Sequence, residues 1–177
     1  MKLLKRYLFF ILMIVLTGLL VLISRETGLK AVNMTLISFK EMVLIIPPIF
    51  VLLGLLDVWV PRETMVKYLG EESGVKGMLI AIFIGSAAAG PLYAAFPVAL
   101  VLMKKGAKFT NILLFIGAWS TTKIPMLLFE LSSLGAKFTL TRLAVSMAGI
   151  FIIAFVVSKL MSKEEVAVLY DKASATD

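Results

Sequence analysis

Two long apolar stretches, each interrupted midway by small residues and proline, limit what this chain can fold into. Residues Met78–Met103 carry Gly85-Ser-Ala-Ala-Ala-Gly-Pro-Leu-Tyr-Ala-Ala-Phe-Pro97, and Asn111–Leu134 carry Gly117-Ala-Trp-Ser-Thr-Thr-Lys-Ile-Pro125. An uninterrupted apolar helix only has to sit in lipid. A break at membrane depth frees backbone groups that hydrocarbon cannot satisfy, so it survives only against protein or a wet cavity. Two such breaks in one chain point to the solute site of a transporter.

Composition supports a membrane setting. Of 177 residues, 60% are hydrophobic and 16% charged, where a soluble domain has about 45–50% and about 25%. Cysteine and histidine are both absent. That excludes disulfides, thiolate metal sites, thiol nucleophiles and the commonest general base. No cofactor or metal is called for. The net charge of +7 would suggest nucleic acid in a soluble protein. Here the Lys and Arg residues cap apolar runs, so the lipid surface is the expected partner and nucleic acid is not.

The expected fold is an all-α integral membrane domain over residues 1–177 with about five spans, at 7–24, 42–60, 78–103, 111–134 and 138–161. The first span follows a basic start and is too long for a signal peptide. Residues 25–41 read either as an interfacial helix or as an early extension of the second span, which holds Pro47 and Pro48 and should kink there. Pro61–Gly70 reads as a short surface helix. A straight helix over 78–103 would be roughly 39 Å long, so a bend or a partly re-entrant path is expected. Residues 162–177 form a polar tail, frayed or disordered. Five spans put the two termini on opposite faces.

Two features bear on symmetry. Gly-Ala-Lys-Phe-Thr occurs at Gly106–Thr110 and again at Gly135–Thr139, each time after an interrupted stretch. An internal inverted repeat and a chance match both stand. On a five-span path the loop charges divide almost evenly between the two faces. Either the span count is off by one, or the chain inserts in both orientations and pairs with an inverted copy. A homodimer, antiparallel in the second case, is the expected assembly.

The candidate solute site gathers Gly90, Pro91, Tyr93 and Pro97 from the first break, and Trp119, Thr121, Thr122, Lys123 and Pro125 from the second. Lys123 stands out, because a charge at that depth costs about 2.5–3.5 kcal/mol and is a functional candidate by default. Asp57 and Glu130 are its expected charge partners. Each residue also has a structural role open to it. Lys123 could snorkel or pair for packing. The hydroxyls could bond carbonyls freed by Pro125. Trp119 could anchor at the interface, and Ser86–Gly90 could serve close helix packing. Catalysis has little support, since no nucleophile–base pair, carboxylate dyad or phosphate loop is present.

The run Gly90-Pro-Leu-Tyr-Ala-Ala-Phe-Pro97, then Leu102-Met-Lys-Lys-Gly106, Trp119, Lys123-Ile-Pro125, Glu130, Leu134-Gly135 and Arg142, resembles the predicted-permease family that includes organoarsenical efflux permeases. Val60-Pro-Arg-Glu63 and Leu69-Gly70 fit it too. The resemblance implies a multi-pass permease of a bacterial or archaeal cytoplasmic membrane. Longer members carry two such units, and this chain looks like one. Many of those members have a Cys-Ser-Cys-Gly segment before the proline matching Pro97. Here Pro91-Leu-Tyr-Ala94 stands there, so thiol ligation of arsenic is impossible. The reading is a permease unit moving a small molecule or ion. The alternative is a non-transporting membrane scaffold subunit of a larger complex.

Overall fold

The structure is a computed structural model that describes the backbone of residues 2–88 and 90–175. The side chains at 2–6, 49–50, 52–53 and 56–57 lie outside the description, and the expected partner Asp57 with them. All regular structure among the described residues is helical: α1 (Lys2–Ile23), α2 (Arg25–Trp59), α3 (Arg62–Leu69), α4 (Gly74–Ala87), α5 (Ala95–Lys104), α6 (Phe109–Thr121), α7 (Ile124–Leu160) and α8 (Lys163–Ser174), with 3-10 turns at Glu71–Ser73 and Leu92–Ala94. The chain divides into two compact units, Met1–Pro48 and Ile49–Asp177.

In the first unit α1 turns into α2 at Ser24. A Cβ on Gly28 would come within 2.4 Å of the Val21 backbone, so only glycine lets the two helices meet there. Above that contact α1 and α2 flank an apolar cleft between Met13, Gly18 and Val32. Residues 25–41 are therefore the start of α2 and not a separate interfacial helix. The helix runs on through Pro47 and Pro48.

The second unit is built around α6. Leu114, Phe115 and Ala118 are buried, as are Asn111, Ile112 and Trp119. Glycine on α4 makes this possible. A Cβ on Gly85 would stand 2.4 Å from the Phe115 carbonyl oxygen and 3.0 Å from the Ala118 Cβ. Gly85→Ala must push α4 off α6, and overpacking of that kind costs about 1–3 kcal/mol. A melting curve matching that of the unaltered protein would contradict this packing.

The direction of each leg follows from its contacts. Gly77 abuts Asn111 and Gly85 abuts Phe115, so α4 runs parallel to α6. Asn111 Nδ2 donates to the Leu69 carbonyl at 2.8 Å, fixing that end beside α3. Then α5 comes back. Lys105 Nζ donates to the Val60 carbonyl at 2.7 Å, and the Lys108 amide donates to Leu69 at 2.7 Å. Helices α4 and α5 are thus a hairpin with both outer ends at one end of the unit. Residues 78–103 therefore form two antiparallel legs where one bent or partly re-entrant stretch was expected.

The chain also reverses inside α7, at Gly135, where φ is 81° and ψ 164°. Such a φ is open to glycine and strained for other residues. Arg142 reaches Glu130 across 12 residues, which a straight helix would hold about 18 Å apart. The return leg ends beside the start of α6, with Thr110 Oγ1 and Ser158 Oγ 3.0 Å apart. Most of the polar tail is helical, as α8 (Lys163–Ser174). Ser162 and Glu165 form a reciprocal capping box that opens α8, and the Tyr170 hydroxyl donates to the Ala107 carbonyl at 2.6 Å.

Burial, and then the nearby Glu71 carboxylate, push the Tyr170 phenol up to about 12. The folded value is raised, so this contribution to stability is intact below pH 10, the ordinary tyrosine value, and is lost as pH rises towards 12. Tyr170→Phe is expected to lower stability by about 1 kcal/mol and to remove the extra loss above pH 10. Alkaline melts of the two proteins check both points.

Much of α7 presents bare apolar side chains, with Phe129 66% and Ile152 and Ile153 each 63% exposed. Among the described residues one stretch, Phe109–Leu160, is long and apolar enough to cross a membrane, while Tyr7–Ile23 and Leu92–Lys104 are shorter apolar helices.

Candidate functional site

The tip of the α4–α5 hairpin lies against the gap between α6 and α7. Sequence chemistry makes both. At the tip Ala88 is extended and Gly90 takes φ 112°, a left-handed value that suits glycine. Pro91 then holds the chain extended into the 3-10 turn. In the gap Thr122 and Lys123 leave helical geometry. Proline lacks an N–H, so Pro125 cannot serve the Thr121 carbonyl four residues back, and it sits instead in the first turn of α7.

Two hydroxyls and a guanidinium gather on the carbonyls at the end of α6. Thr121 Oγ1 donates to Gly117 O at 3.0 Å and Thr122 Oγ1 to Ala118 O at 3.0 Å. Arg142 Nη1 donates to the Thr121 carbonyl at 2.8 Å, taking the bond that Pro125 cannot make. A cation there also suits the negative end of the α6 dipole. Thr122 spends its one proton on Ala118. Its 2.8 Å contact with Ser86 therefore runs from the Ser86 hydroxyl to Thr122 Oγ1. Both threonine hydroxyls thus fold back on carbonyls inside α6, Ala118 O also accepting the Thr122 amide at 2.9 Å, and the carbonyl freed by Pro125 is met by Arg142 instead.

Gly90 joins the two breaks. Its carbonyl accepts from Trp119 Nε1 at 3.3 Å and from Lys123 Nζ. Trp119 is 6% exposed and packs edge-on against Phe115, with ring centroids 5.5 Å apart. It is an internal strut and not an interfacial anchor. Lys123 is half-buried, and no described carboxylate pairs with it. The expected partner Glu130 is committed elsewhere: its carboxylate accepts from Arg142 Nε at 2.5 Å. Lys123 is the N-cap of α7, with ψ at 132° outside helical geometry, and its side chain reaches Gly90 while Glu130 meets Arg142.

Of the site residues expected, the structure brings together Gly90, Trp119, Thr122 and Lys123, with Thr121 one residue away behind Arg142. Pro91 shapes the tip. Tyr93 and Pro125 are exposed and Pro97 half-buried, and no hydrogen bond ties Tyr93 to the cluster. Ser86 and Arg142 belong to the site as well; the sequence marked Ser86 for close helix packing and Arg142 as part of the family motif, and neither as a site residue. On the far side of α6, Ser120 and Thr121 face Ser146 and Gly149 across a cleft of about 230 Å³.

Chemically the cluster offers an ammonium on a neutral carbonyl with no described carboxylate beside it, a hydroxyl chain and a neutralised Arg–Glu pair. The chain belongs to the predicted permease family, whose profile matches residues 28–176. It is therefore a helical membrane protein of that family, one without cysteine. No curated protein and no solved structure matches it.

Proposed function

We propose that this member of the predicted permease family moves a small solute past the hairpin tip, with Gly90, Trp119, Thr122 and Lys123 lining the path near mid-membrane. The observation that carries the reading is Lys123. An ammonium resting on a backbone carbonyl at an exposed contact, with no described carboxylate beside it, is poorly neutralised for a membrane interior. An anionic group on a solute would bind it better than the Gly90 carbonyl does. Displacing that carbonyl frees the tip to shift, which couples binding to movement of the hairpin.

In this reading Arg142 and Glu130 hold the end of α6 and do not touch the solute. Residues 109–134 descend through the bilayer as a leg broken at Thr122–Lys123, and residues 136–160 return unbroken. The protein acts in a bacterial or archaeal cytoplasmic membrane, as a homodimer.

The test is flux into liposomes carrying the purified chain, across a panel of small monoanionic, zwitterionic and neutral solutes. Uptake of a monoanion that Lys123→Met abolishes supports the proposal. A folded, inserted chain that moves nothing in the panel favours the scaffold-subunit reading.

A further inference from the structure

The hairpin geometry re-sorts the charges. The basic residues of α3, of the start of α4, of the Lys104–Lys108 loop and of α8 stand at one end of the second unit. That end is tied together by Lys105 on Val60, Lys108 on Leu69 and Tyr170 on Ala107. At the opposite end, beside the Gly135 reversal, stands Lys137, while Arg142 is committed to Glu130. A path in which 78–103 crosses would put Arg62, Lys67 and Lys76 on the face opposite Lys104, Lys105 and Lys108, and the asymmetry would vanish.

We propose that the basic end is the cytoplasmic end, lying against the anionic inner leaflet, and that α4–α5 is a re-entrant hairpin lowered into the membrane from that side. Short loops rich in Lys and Arg stay cytoplasmic, and acidic residues count little in this rule, so Glu71, Glu72, Glu164 and Glu165 do not offset it. The leaflet's negative charge attracts the same residues. Helix α3 suits the surface: Met65 and Leu69 are buried inward, while Arg62 and Lys67 are exposed. Helix α4 has 14 residues, about 21 Å of helix. Against a hydrocarbon core of about 30 Å, that brings the Gly90 tip into the membrane and stops it short of the far face. The break in α6 meets it at that depth, and a solute would reach the tip from the cytoplasm along the hairpin. The inference rests on the membrane reading of the proposed function, while its test is indifferent to whether solute moves.

The chain is naturally free of cysteine, so single cysteines report position cleanly. Glu72→Cys and Ala167→Cys mark the basic end, and Ser133→Cys and Ala136→Cys mark the other; all four sites are exposed. Intact cells are treated with a membrane-impermeant maleimide, then permeabilised and treated again. The expected result is labelling of positions 133 and 136 in intact cells, and of 72 and 167 only after permeabilisation. Labelling of 72 and 167 from opposite faces would mean that the hairpin region crosses, and would overturn the proposal. So would the reverse orientation, or labelling of every position from both faces, the mark of dual insertion. Flux that fails while the labelling holds would count against the solute path alone.

Discussion

Arg142→Met is expected to destabilise the protein by about 3–5 kcal/mol, the usual effect of removing one partner from a buried ion pair. Glu130 keeps 7% of its side-chain surface exposed and Arg142 21%, and the carboxylate has no other described partner. The substitution strands that charge and also returns the Thr121 carbonyl to the unpaired state that Pro125 created. Total stabilities run about 5–15 kcal/mol, so the loss is about a fifth or more of what holds the fold. Arg142→Met combined with Glu130→Leu should recover much of it, because the stranded charge is gone. Melting curves in detergent decide the matter. A single variant that melts like the unaltered protein would sink the assigned role of the pair, and so would a double variant as unstable as the single.

Lys123→Met is expected to do the opposite, leaving the fold almost unchanged while flux collapses. The substitution removes a charge-assisted hydrogen bond to Gly90, worth about 1.5–3 kcal/mol. It also removes a charge whose presence at membrane depth costs about 2.5–3.5 kcal/mol. The two nearly cancel, so the melting temperature should move little. Losing a contact of that size to the solute lowers flux by about 10–150-fold. Lys123→Arg, which keeps the charge with a different reach, should retain part of the activity. Full flux by Lys123→Met would remove Lys123 from the path.

The contrast between these residues shows how far the sequence could be read. Pro125 announced the gap, because that follows from local backbone chemistry; that Arg142, and not the threonines before it, would meet the freed Thr121 carbonyl was not announced. Gly90 and the small residues around it likewise marked a tip. The Glu130–Arg142 pair was not legible. Its members lie 12 apart, and only the left-handed turn at Gly135 brings them together. A lone glycine in an apolar run does not declare which φ it will take. The same holds for the charges. Residues 78–103 have the length of a bent span, and only the bonds from Lys105 and Lys108 back to Val60 and Leu69 reveal a hairpin. In the proposed re-entrant arrangement, the even charge count that suggested inverted pairing loses its basis in the second unit. Trp119 could have faced lipid or cavity on sequence grounds. Phe115 lies one turn before it on α6, but the burial of Trp119 also depends on the Gly90 carbonyl, 29 residues away, which periodicity does not reveal.

The central claim is that the hairpin tip and the break in α6 form a wet path inside the membrane. Charged methanethiosulfonate reagents attack thiols only where water reaches them, so the reaction rates of single cysteines test it directly. Tyr93→Cys and Lys123→Cys are expected to react readily in the membrane-inserted protein, while Phe129→Cys and Ile152→Cys, on the bare apolar surface of α7, stay silent. Equal silence at all four positions would contradict the account, and so would tip and break residues that react no faster than those on α7.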